Sequence, residues 1–115
     1  MNFENLIVWK KSARLSVALY KYFRNLRDYG FKDQVTRSGL SIPSNIAEGL
    51  SMNSTGQKRH FLSIAKGSCA ELRTQIYIGI KIGYISKDHG NVWLNETRLI
   101  AAMLTGLIKT LDNPL

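Results

Sequence analysis

The stretch NLIVWKKSARLSVALYKYFRNL, residues 5–26, decides the fold class. At 100° per residue, Val8, Leu15, Leu19, Phe23 and Leu26 fall on one side, with Trp9 and Tyr20 at its edge. Lys10, Arg14, Lys21 and Arg24 fall on the other. A helix patterned in this way must bury one face against other helices. Working outward, RDYG at 27–30 reads as a turn in which Gly30 is the left-handed helix stop.

Residues 31–50 keep helical spacing in Phe31, Val35, Ile42, Ile46 and Leu50, with Pro43 inside. Proline cannot donate a backbone hydrogen bond and its ring crowds the carbonyl four residues earlier, that of Gly39, so a helix kinked at Pro43 is expected. The alternative is a helix that breaks and restarts with Ser41 as its cap. After a break at 49–53, STGQ at 54–57 matches a capping box, and a long third helix follows with Phe61, Ala65, Cys69, Leu72, Ile76, Gly79, Ile80 and Gly83 on one face. Residues 84–90 form the last turn, with Ser86 as a cap and Asp88 against the positive end of the helix dipole. In the fourth helix, Val92, Leu99, Ile100, Met103, Leu104, Leu107, Ile108 and Leu111 span nearly half the circumference. That arc is wider than a lone bundle needs, which points to a partner.

Short turns cannot carry the chain back along a helix, so the expected fold is all-α: an antiparallel, up-down-up-down four-helix bundle, one domain over residues 1–115. Composition agrees, since 44% hydrophobic and 21% charged residues are ordinary for a globular chain and leave no reason to invoke disorder. No apolar stretch approaches the 18 or more residues of a membrane span, no basic-then-apolar leader is visible, and Cys69 is alone. A cytoplasmic protein with no membrane partner is expected.

Chemistry is sparsely represented. His60 and His89 lie in different elements without further ligands at metal spacing, and Cys69 sits in an apolar stripe where a thiol loses acidity. The glycines at 39, 67, 79, 83 and 106 stand singly, as close-packing positions and not as a phosphate loop. Glu48 and Glu71 are the carboxylates deep in helical segments, and Glu48 is expected to pair or to cap backbone near Asn45. No catalytic residue, metal or cofactor is assigned.

The net charge of +8 is the informative feature. Residues 4–27 carry Lys10, Lys11, Arg14, Lys21, Arg24 and Arg27 against Glu4 alone. In the third helix Arg59, Lys66 and Arg73 recur every seven residues and so stack into a stripe. A solvated face explains one such stripe; two stripes and the net charge favour polyanion binding through Lys10, Lys11, Arg14, Lys21, Arg24, Arg59, Lys66 and Arg73. Tyr20, Tyr22, Tyr29, Tyr77 and Tyr84 offer rings for stacking on unpaired bases or, alternatively, for packing at helix edges.

FENLIVWKK at 3–11, QVTR at 34–37, SIPSNIAEG at 41–49 and FLSIAKGSCAEL at 61–72 together resemble the four-helix bundle proteins encoded in intervening sequences of large-subunit ribosomal RNA. The resemblance spans about residues 3–85, with SIPSNIAEG its most specific part. It implies a homopentamer, a distant similarity to accessory proteins of diversity-generating retroelements, and no catalytic residues. By position it makes Pro43, Asn45, Glu48 and Gly49 structural signature residues and places Lys66 and Glu71 in a third-helix motif. The chain departs at Thr36, where a second arginine is common, and at Arg73, where an acid is common. The expectation is a non-enzymatic oligomeric binding module for RNA or DNA. The alternative is a scaffold that binds a protein partner.

Overall fold

The computed structural model describes residues 2–112. A 3-10 turn, Phe3–Asn5, leads into α1 (Ile7–Tyr22), α2 (Tyr29–Leu50), α3 (Thr55–Lys81) and α4 (Lys87–Asp112), and there is no strand among the described residues. Contacts between helix ends define two poles. At one, the Ser86 amide before α4 donates to the Tyr22 hydroxyl at the end of α1 (3.0 Å), and Tyr84, just after α3, bonds to Asp28, just before α2 (2.8 Å). At the other, Arg59 in the first turns of α3 pairs with Asp112 at the end of α4. Consecutive helices therefore run in opposite directions. Each packs on its neighbours in sequence and α1 closes the ring against α4, while the diagonal pairs α1/α3 and α2/α4 make no close backbone approach.

The core follows the predicted stripes. Val8, Leu15, Leu19 and Phe23 of the first segment are buried against Val35, Ile42 and Ile46 of α2 and Leu62, Cys69, Leu72 and Ile76 of α3. Each fully buried Leu or Ile contributes about 1.5–3 kcal/mol by leaving water. At the first pole the core becomes aromatic: Phe23 meets Tyr22 at 5.1 Å and Phe31 at 6.0 Å, and Tyr22 stands edge-on to Trp93 at 4.9 Å.

Several local expectations are corrected. The first helix ends at Tyr22, before the apolar period does, because Phe23 leaves the helical region and the Leu26 amide turns back to its carbonyl. Gly30 is not a helix stop; it lies in the first turn of α2, which is capped by Asp28 Oδ1 accepting from the Phe31 amide (3.1 Å). The left-handed stop is Gly83 (φ +83°). There the Tyr84 amide donates to Gly79 and the Gly83 amide to Ile80, closing α3 with the paired bonds of a glycine C-cap. In α4 the buried face carries Trp93, Leu94 and Thr97 with Ile100 and Leu104, whereas Val92 and Leu99 point outward at 63% and 45% exposure. The core side of α4 is thus rotated from the expected arc.

The helix does not restart at Ser41: α2 runs unbroken through Pro43. Proline still denies the Gly39 carbonyl its usual donor, and a local bend remains the expectation there. Side chains reinforce this region. Asn45 Nδ2 donates to the Ser41 carbonyl (2.8 Å) and hydroxyl (2.9 Å), and Ser41 Oγ shares a hydrogen with Ser68 Oγ on α3 (2.8 Å). Gly39 and Gly49 bring backbones together: a Cβ at Gly39 would lie 2.5 Å from Leu19 Cδ1, and one at Gly49 would lie 3.1 Å from Phe61 Cβ. Gly67 and Gly106, by contrast, face open space. Glu48 is exposed and makes no ion pair among the described residues, so its expected pairing is not found.

Candidate nucleic-acid interface

Lys10, Arg14, Lys21 and Arg24 are all exposed, on α1 and the turn that follows it, and none has a carboxylate within salt-bridge distance among the described residues. They form an uncompensated basic strip on a rigid element. Lys11 is turned aside toward α4, where its Nζ lies 3.5 Å from Glu96. The α3 residues fare differently. Arg59 is committed to Asp112, Arg73 is half-buried near Cys69, and of the three Lys66 alone is exposed and without an ion pair among the described residues. Because α1 and α3 are diagonal in the bundle, the two sequence stripes do not merge into one surface on a single protomer.

The structure also sorts the tyrosines. Tyr22 is packed against Phe23, His89 and Trp93. Tyr84 packs on Phe31 and donates to Asp28, a bond that raises its own pKa and helps lower that of Asp28, where the Phe31 amide is the larger cause. Tyr77 is exposed, but its oxygen accepts from Arg98 Nη2 (2.6 Å). Tyr20 and Tyr29 stay exposed, at 46% and 69%, and make no side-chain hydrogen bond to a described residue.

Both of these rings line a groove between α1 and α2. It consists of a depression of about 1110 Å³ and a smaller one of about 400 Å³ that share Ser16, Val17 and Leu40 in their walls. Lys21, Arg24 and Lys32 border the larger part; Phe3, Trp9 and Pro43 border the smaller. Lys32 does not stand out as a site residue in the sequence. Its Nζ sits 5.1 Å from the Tyr29 ring centroid and 3.4 Å from the Arg24 carbonyl. Reading 27–30 as a turn hides this pairing, since Tyr29 and Lys32 face each other only once both belong to α2.

Other groups are occupied structurally. Burial pushes the Cys69 thiol up to about 11, against a smaller opposing effect of Arg73. Ser86 and His89 approach to 2.8 Å, yet the Ser86 hydroxyl also accepts the His89 amide as a helix cap. Among the described residues no three His, Cys, Asp or Glu side chains gather as a metal site, and no helix is long and apolar enough to cross a membrane.

The family described as 23S rRNA-intervening sequence protein matches residues 4–106. The chain belongs to that family. Its match extends beyond the stretch that carries the sequence resemblance and takes in most of α4. Among solved structures, a protein of unknown function from the S23 ribosomal protein family of Bacteroides thetaiotaomicron superposes with a TM-score of 0.84 at 26% sequence identity. The alignment covers 90% of this chain and 99% of that one. No curated protein matches the chain. Asn45 and Gly49 have structural tasks here, as donor to Ser41 and as the point of close approach to α3.

Proposed function

We propose that this member of the 23S rRNA-intervening sequence protein family is a non-enzymatic, self-associating accessory protein that binds RNA or DNA through the basic strip of α1. The observation that carries the proposal is the set Lys10, Arg14, Lys21 and Arg24, exposed and without carboxylate partners among the described residues. Such a strip can follow phosphates and supplies affinity without base reading. The family's description ties it to ribosomal RNA, which favours RNA among the polyanions. A lone, buried Cys69 fits a reducing cytoplasm.

Self-association rests on apolar surface that the protomer leaves uncovered. Ile78 and, one turn on at the end of α3, Ile82 are 49% and 51% exposed on its outer side, with Ile64, at 39%, and the open Gly67 farther along the same side beyond Glu71. A second copy is the natural cover for such a patch. A pentamer is the preferred state, and it would gather five copies of a +8 chain into one multivalent polycation. The scaffold alternative keeps the assembly and dispenses with the nucleic acid. Filter binding to mixed-sequence RNA at two salt concentrations separates them: salt-sensitive retention supports the proposal, and no retention at about 50 mM salt overturns it in favour of the scaffold.

A further inference from the structure

We infer that the α1–α2 groove is a subsite for an unpaired nucleic-acid strand, whose bases stack on Tyr20 and Tyr29 while its phosphates meet Lys21, Arg24 and Lys32. The inference rests on the nucleic-acid binding proposed above and adds where the strand lies and that it is single. Three observations converge. Of the five tyrosines, these two alone have neither a ring–ring contact nor a side-chain hydrogen bond among the described residues, Tyr29 meeting only the Lys32 ammonium, and both border the same groove. Apolar side chains, Val17 and Leu40, line the same groove at 52% and 46% exposure, so it also offers dry contacts that a fully hydrated phosphate backbone does not need. Its rim is cationic.

Charge decides the occupant. Three cations border the groove against one carboxylate, Asp33, and that carboxylate is held by Arg37 at 3.1 Å. A neutral apolar helix would leave the cations unanswered, and a duplex would keep its base faces stacked inside. An unpaired strand presents both phosphates and open base faces, the combination that stacking platforms in basic grooves recognise without regard to sequence. Lys32 sits over one face of the Tyr29 ring, and the ring, 69% exposed, keeps surface on which a base can stack.

The test uses the full chain and a fluorescent mixed-sequence RNA of about 12 nucleotides, within the 4–16 that one such platform spans, beside a duplex of the same sequence. Anisotropy should show tighter binding to the single strand. Tyr20→Ser and Tyr29→Ser should each weaken it about tenfold, Tyr20→Phe and Tyr29→Phe should restore it, and duplex binding should hardly change. Equal affinity for strand and duplex, with the serine variants unaffected, would overturn the groove assignment and leave the basic-strip proposal standing. Binding to neither probe would overturn both. If the serine variants instead lower the assembly's mass in light scattering with affinity per protomer unchanged, the groove lies between copies of the chain and the inference is wrong.

Discussion

Tyr84 donates its phenolic hydrogen to Asp28 Oδ2 at 2.8 Å, joining the turn after α3 to the residue that caps α2 through its other oxygen. Two helix ends thus depend on one carboxylate. The contacts hold the Asp28 carboxyl below its ordinary value, chiefly through the Phe31 amide, and raise Tyr84 above its own, chiefly through Asp28. For a depressed acid, the contribution is present above the unfolded pKa and disappears as pH falls through the folded one, which puts the acid-side loss below about pH 4. For Tyr84 the contribution is intact below the unfolded pKa and disappears as pH rises through the folded one, above about pH 10. Thermal melts should show Asp28→Ala destabilising more than Tyr84→Phe, since only the first also removes the cap. Equal effects would mean that the cap contributes nothing.

The hydrogen bonds from Asn45 to Ser41, and between the Ser41 and Ser68 hydroxyls, sit where Pro43 interrupts the ladder. Asn45→Ala should cost about 1–3 kcal/mol, because the half-buried Ser41 loses the side-chain donor to both its hydroxyl and its carbonyl. Ser68→Ala should cost less. Urea melts in a double-mutant cycle should find the two coupled; strict additivity would show that the helices α2 and α3 do not communicate through this network.

What a sequence can reveal of such a bundle depends on what periodicity encodes. Relative angle along one helix is readable, so spacing alone puts Leu15, Leu19, Ile42, Ile46 and Leu72 on apolar stripes, and all five are buried. The absolute direction of the core is not. In α4, Val92 and Leu99 belong to the apolar arc yet face outward, while Trp93 and Thr97 face in, because the ring against Tyr22 fixes the rotation of the helix. Turn glycines are ambiguous for a similar reason: Gly30 and Gly83 both follow helical segments, and only the backbone shows which one takes a positive φ. The basic stripes of α1 and α3 are each visible in the residue spacing, but their diagonal placement is a property of the whole bundle.

The exposed apolar side of α3 gives a test of self-association. Ile78→Asp with Ile82→Asp should leave the circular dichroism spectrum helical, since both side chains are about half exposed, and should reduce the mass seen by light scattering to that of a 13.0 kDa protomer. Gly67→Ala provides a second readout. With open space around it, alanine in a lone protomer should add up to about 1 kcal/mol of helix stability; against a close second copy it should loosen the assembly. An unmodified protein already at 13.0 kDa at micromolar concentration ends the proposal of an oligomer.

The last expectation concerns which charges matter. Lys10, Arg14, Lys21 and Arg24 are free to meet phosphates, whereas Arg59 is held by Asp112 and Lys11 lies beside Glu96. Each phosphate neutralised releases counterions, so log affinity should fall against log salt by about 0.7 per contact for a single strand and about 0.9 for a duplex. Replacing the four free residues with Gln should therefore flatten the slope by about 3 if all four touch phosphate, without loss of helix, because none of them supports the core. Arg59→Gln should change the slope little. Its partner is half exposed, so its effect on stability should stay within about 0–1 kcal/mol, as for a surface pair. Should Arg59→Gln flatten the slope as much as Lys21→Gln, the pair must open on binding, and the strand's path would have to include the far pole of the bundle, where α3 begins and α4 ends.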